Sequence, residues 1–303
     1  MIVITGATGK VGSKITEHLL ARGRTIRAVG RSAQRLANLV AGGAEGMVGD
    51  LADTAFLGRA FSGADAVFVL LPPNMGAADF RAFQDRIGES ITEAIRRSGV
   101  RYVVNLSSQG GDLESGTGPI AGLHAQEERL NGLPGVHVLH LRPTYFMENL
   151  LMNIDLIRKM GIMGSAVKGD VPLAMIATRD IASYAAERLD RLDFTGKTVR
   201  DLLGPRDITM NEAATVIGKA IGRPGLTYAA FPPDDALKGM VAAGLSPDLS
   251  RLYVEMSEAI NRGVLTSGAK RTRETSTATT IEEYAREFAG IFTEAEAAGK
   301  SAA

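Results

Sequence analysis

A glycine-rich segment directly after the first apolar strand is the feature that most narrows the folds open to this chain. It reads Thr5-Gly6-Ala7-Thr8-Gly9-Lys10-Val11-Gly12, follows the strand Ile2–Thr5 and opens an amphipathic helix. Glycines at this spacing permit a tight turn, close approach of a phosphate and close helix packing, while the helix N-terminus offers free N–H groups. A glycine turn with a purely structural role is the alternative. The strand before and the helix after favour a Rossmann-type turn that holds the pyrophosphate of a dinucleotide. The residues predicted to contact it are Gly6, Thr8, Gly9, Lys10, Val11 and Gly12.

Apolar runs and helical patterns alternate through residues 1–142, as they do in repeated βα units. Strands are predicted at Ile2–Thr5, Thr25–Val29, Glu45–Val48, Ala66–Leu71, Tyr102–Leu106 and Val136–Leu141. The strands that begin at Ala66 and Tyr102 are almost continuously apolar, which is typical of a parallel sheet with helices on both faces. The predicted fold class is therefore α/β, with a Rossmann-type doubly wound parallel sheet and a smaller, mainly α-helical C-terminal lobe.

The pattern changes after Arg142, where a mixed apolar segment, Tyr145–Met163, precedes a predicted short strand at Pro172–Ala177. A helix at Thr178–Leu192 and a strand at Thr198–Leu203 complete the far edge of the sheet. Helices then dominate, at Asn211–Ile221, Asp234–Ala243, Asp248–Ile260 and Thr280–Phe292. We predict a nucleotide-binding domain from residues 1–148 and 172–203, a smaller substrate-side lobe from 149–171 and 204–293, and a flexible tail at 294–303.

Composition excludes several classes of function. Lys+Arg and Asp+Glu both number 34, so no overall charge attracts nucleic acid or an anionic membrane, and no apolar run reaches the ~18 residues of a membrane span. The absence of cysteine excludes disulfides, thiolate metal sites and a cysteine nucleophile. No spacing of His, Asp and Glu resembles a metal site. Because the chain opens directly on a strand, we expect a soluble cytoplasmic protein; a homodimer is compatible with the sequence.

The end of the second strand indicates which dinucleotide is bound. An acid at this point would bind the ribose 2′-hydroxyl of NAD, but the chain has Arg31 there. A guanidinium pairs well with a 2′-phosphate, so NADP(H) is predicted over NAD(H), with Arg35 and Lys10 adding positive charge. The alternative is that Arg31 is a solvated loop charge and Ser32 caps the next helix.

Further cofactor contacts are predicted where the other strands end. Asp50 follows the third strand, where its carboxylate can meet the adenine amino group or can cap the next helix; both interpretations stay open. The remaining predicted contacts are Leu51, Leu70, Leu71, Pro72, Ser107, Ser108, Pro143, Tyr145 and Phe146.

Several segments in this order resemble the NmrA-like group of the atypical short-chain dehydrogenase/reductases. They are Thr5–Gly12, Arg31, Gly49-Asp50-Leu51, Leu106-Ser107-Ser108, Leu141-Arg142-Pro143-Thr144-Tyr145-Phe146-Met147-Glu148-Asn149, Thr178-Arg179-Asp180-Ile181-Ala182, and Gly204-Pro205 followed by Ile208-Thr209 and Glu212-Ala213-Ala214. The resemblance covers about the first 230 residues. It implies an NAD(P)H-dependent oxidoreductase similar to NADPH quinone reductases.

The chain departs from ordinary short-chain dehydrogenases in the helix after the fifth strand. Those enzymes carry a Tyr-x-x-x-Lys pair there, whereas this chain has His124 and Glu128 one turn apart. Alcohol and ketone chemistry is therefore disfavoured, as is the isoflavone-reductase type, which places a lysine on this helix. A quinone accepts hydride with less help, and His124 with Glu128 is the predicted catalytic pair. The alternative is a solvated polar face.

The acceptor side is predicted from apolar and amide side chains after the fourth, fifth and sixth strands. The predicted substrate contacts are Met75, Gln109, Met147, Asn149 and Leu150. Methionines adapt to flat aromatic molecules, although apolar residues on a helix are usually core. Two functions stay open: a reductase that passes hydride from NADPH to a quinone-like small molecule, and a non-catalytic NADP(H) sensor that binds a regulator protein. Fold and motif do not separate them.

Overall fold

The computed structural model describes residues 1–265 and 269–301, with side chains through residue 298. Its strands are β1 Ile2–Ile4, β2 Ile26–Gly30, β3 Glu45–Val48, β4 Ala66–Leu70, β5 Tyr102–Leu106, β6 His137–Pro143, β7 Ile162–Ser165, β8 Lys197–Leu202 and β9 Thr227–Ala230. Seven of them form one sheet in the order β3-β2-β1-β4-β5-β6-β8. Every neighbouring pair in that sheet is parallel. The predicted parallel α/β sheet is confirmed, including its far-edge strand.

Helices cover both faces of the sheet. They are α1 Lys10–Ala21, α2 Ala33–Ala41, α3 Thr54–Phe61, α4 Phe80–Ser98, α5 Ile120–Asn131, α6 Ile154–Met160, α7 Thr178–Arg191, α8 Met210–Ala220, α9 Pro233–Ala242, α10 Pro247–Asn261 and α11 Ile281–Ser301. Apolar residues of α1 and α7 pack on one face, and those of α3 and α4 pack on the other. Two cores therefore enclose the sheet, as the almost continuously apolar strands β4 and β5 require.

A third apolar core lies outside the sheet. It joins the 3₁₀ segment Met147–Asn153 with α6, α8 and α11. A small parallel sheet, β7 with β9, belongs to the same region. The C-terminal part is thus mainly helical, as expected. The exact domain boundaries stay a prediction.

Three local predictions differ from the structure. Pro172–Ala177 forms no strand, because its backbone bonds reach different neighbours: Leu173 pairs with Ile208, and Ile176 pairs with Phe146. The short strands β7 and β9 were not predicted. The tail was expected to begin at Glu294, but α11 continues to Ser301 and Arg223 bonds Glu296 on it. Residues 302 and 303 of that predicted tail lie outside the described residues.

Among the helices that the structure describes, none combines the length and the apolar character that a membrane span requires.

Candidate functional site

The glycine-rich segment forms the turn between β1 and α1. Gly6 has a φ of 59°, a conformation that strains residues with a side chain. A Cβ atom on Gly12 would collide with the Gly6 carbonyl oxygen, so α1 packs directly against the turn. Gly9 is the N-cap residue of α1 and is exposed, and it offers no side-chain hydrogen bond to the first turn. The first N–H groups of α1 are therefore available to an anion.

Two arginines lie beside this turn, and they differ in their hydrogen-bond partners. Arg35 donates from Nη2 to the Thr8 carbonyl oxygen at 3.1 Å, which holds it against the turn. Arg31 directly follows β2, is exposed, and makes no hydrogen bond or ion pair with any residue that the structure describes. Ser32 caps α2 by accepting a hydrogen bond from the Arg35 N–H. The cap proposed for Ser32 is present, yet it leaves the Arg31 guanidinium free.

The hydrogen bonds of the two acidic residues after β3 distinguish between the two interpretations of Asp50. Asp53 caps α3, because its Oδ1 accepts from the Phe56 N–H at 3.0 Å. Asp50 Oδ1 accepts instead from the Ala52 N–H at 2.9 Å within the loop. Asp50 as the helix cap is therefore wrong, and its contact with an adenine amino group stays a prediction. Leu51 is only 7% exposed and packs in the core beneath α3.

The carboxyl ends of β1, β4, β5 and β6 lie side by side at one edge of the sheet. The predicted cofactor residues at or just beyond the last three of these ends are Leu70, Leu71, Pro72, Ser107, Ser108, Pro143, Tyr145 and Phe146. Backbone bonds tie two of the loops together, since the Gln109 N–H donates to the Pro143 carbonyl oxygen at 2.9 Å. Open α/β sheets bind their ligands at this edge, so the sheet brings the separate predicted segments into one region.

A buried ion pair below this edge is not indicated by any motif in the sequence. Glu127 on α5 accepts from Arg142 Nε at 3.0 Å and from Arg142 Nη2 at 2.7 Å. Ser107 Oγ donates to the same carboxylate at 2.5 Å. Glu127 is only 3% exposed, and its hydrogen bond raises the pKa of Arg142 above the ordinary value. The proton of the Ser107 hydroxyl is thus committed to Glu127, although Ser107 was predicted to contact the cofactor.

His140 lies beside this ion pair, and its surroundings keep it neutral. Its Nδ1 accepts from Asn105 Nδ2, and its Nε2 donates to Asn131 Oδ1, both at 3.0 Å. Burial lowers its pKa from 6.5 to about 4. His140 is therefore part of the packed interior of the fold. The signal in the sequence was a histidine between the apolar residues Leu139 and Leu141 of β6.

The predicted catalytic pair lies on the side of α5 that faces the edge strand β8. His124 is half-buried, and its Nδ1 donates to the Gly111 carbonyl oxygen at 3.0 Å; a carbonyl only accepts, so this nitrogen carries the proton. His124 and Glu128 both line an open polar cleft of about 260 Å³, together with Arg142 and Lys197. None of the predicted cofactor or substrate residues lines this cleft. The catalytic role of the pair stays a prediction, and the contact with Gly111 gives His124 a second function in supporting the loop after β5.

The predicted substrate residues fall into two groups. Met147 and Leu150 are 0% exposed and belong to the core of the C-terminal region. A side chain must be accessible to contact a ligand, so the burial of these two favours the core interpretation, and their contact with the substrate stays a prediction. Met75 is 43% exposed, whereas Gln109 and Asn149 are half-buried. These three remain candidates.

Helix α10 crosses the same edge, a position that the sequence patterns did not predict. The Ser246 N–H at its start donates to the Met75 carbonyl oxygen at 2.8 Å, and Asp248 accepts from the Phe80 N–H at 2.9 Å. A Cβ atom on Gly118 would collide with the Leu252 carbonyl oxygen, so α10 also abuts the loop after β5. The helix therefore spans two loops that border the candidate crevice.

Residues 1–265 and 269–301 contain no candidate metal site, because no group of three or more His, Asp or Glu side chains there could hold a metal ion.

Comparison with known proteins finds a family model that matches most of this chain. The model of the NmrA-like family matches residues 1–285. A (4-alkanoyl-5-oxo-2,5-dihydrofuran-3-yl)methyl phosphate reductase of Streptomyces griseus is 29% identical over 267 residues, covering 88% of this chain and 89% of that protein. An NAD(P)H azoreductase of Xenophilus azovorans is 28% identical over 298 residues, covering 96% and 99% respectively.

A solved structure gives the same fold. The NADPH-dependent quinone oxidoreductase of Escherichia coli, complexed with NADPH, superposes with a TM-score of 0.79. The match covers 95% of this chain and 99% of that chain at 24% identity.

Proposed function

The chain belongs to the NmrA-like family, and we propose that it transfers hydride from NADPH to a quinone or a similar aromatic acceptor. One observation carries the proposal: a phosphate-binding type of turn at Gly6–Gly12 lies beside the exposed guanidinium of Arg31, which has no partner among the described residues. The names of the relatives, an azoreductase and a reductase of a dihydrofuranyl-methyl phosphate, support reduction of a small molecule as the reaction class.

The residues of the glycine turn and the second strand fit a bound dinucleotide phosphate. The first turn of α1 supplies N–H groups for the pyrophosphate. Arg31 would hold the adenosine 2′-phosphate, with Arg35 beside it, and no acid follows β2 to bind a free 2′-hydroxyl. NADP(H) is therefore the preferred cofactor of this proposal over NAD(H). When bound, NADPH supplies the hydride, and the chain's own residues orient it and exclude water.

The missing Tyr-x-x-x-Lys pair favours an acceptor that needs little proton assistance. A quinone meets this condition, because the negative charge that develops on reduction is spread over an aromatic system. General acid catalysis typically contributes about 10²–10⁴-fold, so an acceptor that needs less of it tolerates the absence of the pair.

The proposal is tested by steady-state oxidation of NADPH with a panel of quinones and azo dyes, alongside calorimetric titration of both cofactors. We expect turnover with quinones and tighter binding of NADPH than of NADH. Tight NADPH binding without turnover on any acceptor would contradict the enzyme. It would favour the non-catalytic sensor, whose partner would be a regulator protein.

His124 has a separate test, because two roles are proposed for it. As a general acid assisted by Glu128, its loss in His124→Ala should lower turnover about tenfold to a hundredfold with NADPH affinity unchanged. As a support for Gly111, it should be replaced well by asparagine, whose Nδ2 can donate to the same carbonyl oxygen. Full activity in His124→Asn would contradict the acid role, whereas equal losses in both variants would support it.

A further inference from the structure

Three tyrosines on separate elements lie close enough for their phenols to interact, and one of them follows the carboxyl end of β6. Tyr145 follows β6, Tyr228 lies on β9 and Tyr253 lies on α10. Tyr145 and Tyr228 pack against the core of the C-terminal region, while Tyr253 packs with Phe80 and Leu249 where α10 meets the loop after β4. Burial raises the pKa of Tyr145, and the phenols of Tyr228 and Tyr253 raise it further. The three phenols therefore share one region of low polarity.

The hydroxyl groups of these tyrosines are used differently. Tyr228 donates to the Val167 carbonyl oxygen at 2.7 Å and lies 2.6 Å from Ser165 Oγ, so its hydroxyl is fully engaged. Tyr145 and Tyr253 are half-buried, and neither hydroxyl bonds to any residue that the structure describes. A ligand can reach both hydroxyls, because neither oxygen is fully buried. Two phenols are thus left for a partner outside the chain.

The backbone fixes where these two phenols lie. The Ile176 N–H donates to the Tyr145 carbonyl oxygen at 2.9 Å, which anchors Tyr145 just beyond β6. Helix α10 carries Tyr253 across the same edge, held by its bonds to Met75 and Phe80. Ligands of open α/β sheets lie at this edge. An acceptor beside the nicotinamide would lie near Tyr145, with Tyr253 approaching from the covering helix.

We propose that Tyr145 and Tyr253 donate hydrogen bonds to a carbonyl oxygen of the acceptor, and so select acceptors that carry such an oxygen, with quinones as the principal class. This inference rests on the proposed hydride transfer. The quinone takes a hydride from NADPH and one proton from water, which gives a hydroquinone and NADP⁺. The phenols stabilise the negative charge that grows on the oxygen, and they keep their own protons.

The test compares Tyr145→Phe and Tyr253→Phe with Tyr184→Phe, a matched control on α7 outside the cluster. Loss of one neutral hydrogen bond should lower kcat/KM for a quinone about three- to tenfold. The control should keep the unmodified rate, and Tyr253→Phe and Tyr184→Phe should keep their affinity for NADPH, since only Tyr145 is also a predicted cofactor contact. With an acceptor that takes the hydride on carbon and lacks a carbonyl oxygen, such as a cationic triarylmethane dye, the two variants should match the unmodified protein.

The pH profile tests whether the two phenols act in their protonated form. Because burial raises the pKa of both phenols, they stay protonated at neutral pH and above. The loss in each variant should therefore be constant from about pH 6 to pH 9. Equal losses with all acceptors, or unchanged rates with quinones, would overturn the inference while the hydride transfer stands. An unmodified protein that oxidises NADPH with no acceptor would overturn both.

Discussion

The polar groups at the two ends of the carboxyl edge differ in whether they have hydrogen-bond partners. Around β1 and β2, α1 has no side-chain cap and the Arg31 guanidinium has no partner among the described residues. Around β5, β6 and α5, the carboxylate of Glu127 is enclosed by Arg142 and Ser107, and His140 has partners on both nitrogens.

This difference separates groups that await a ligand from groups that hold the fold. An exposed cation costs little when unpaired because water solvates it, so Arg31 is free to bind an anion. A buried charge without a partner is costly, so Glu127 and Arg142 must remain together. Chemical type alone does not make this distinction, since arginine occurs in both places.

The largest expected effect is on stability. Glu127→Ala should lower the free energy of unfolding by about 3–5 kcal/mol, because it leaves the Arg142 guanidinium without its bidentate partner. Urea denaturation measures the loss. The control is Asp112→Ala, which removes a more exposed carboxylate 3.4 Å from the same guanidinium and should cost less than about 1 kcal/mol. Similar losses of unfolding free energy in both variants would contradict the claim that the buried pair holds the fold. A Glu127→Ala protein that stays folded but no longer binds NADPH would contradict it as well.

A somewhat smaller effect on stability is expected when the pH is lowered. Burial lowers the His140 pKa from 6.5 to about 4, so between these values the unfolded chain binds more protons than the folded protein. Stability from this group is complete above pH 6.5 and is lost as pH falls through 4, a change of about 3 kcal/mol. His140→Gln, which cannot titrate, should show a flatter decline between pH 7 and pH 4. Parallel curves for the two proteins would contradict a neutral, buried His140.

We call the end around β1 and β2 the open end, because Arg31 is unpaired among the described residues there, and the end around β5, β6 and α5 the closed end, because Glu127 and Arg142 are paired there. Local sequence patterns predict the open end better than the closed end. The turn at Gly6–Gly12 and the position of Arg31 follow from spacing within a single βα unit. Strands β7 and β9 were not predicted because they lie outside the regular alternation of strands and helices, and each pairs with a partner far along the chain.

The closed end depends on contacts between distant segments, which no spacing rule contains. The pairing of Glu127 with Arg142 requires α5 to pack against β6. The approach of Tyr253 requires α10 to fold back over the loop after β4. Met147 looked available in a methionine-rich segment, but it is taken up by the core of the C-terminal region.

The most direct test of the account is the affinity of the protein for NADPH and NADH before and after Arg31→Ala, measured by calorimetry. We expect the substitution to weaken NADPH binding by about 1.5–3 kcal/mol, roughly tenfold to a hundredfold, because only the 2′-phosphate loses a charge-assisted partner. NADH affinity should stay the same, as should both affinities in Arg101→Ala, which changes an exposed arginine just before β5 at the opposite edge of the sheet. An equal loss for the two cofactors, or no loss for either, would contradict the claim that the unpartnered guanidinium marks an NADP(H) site.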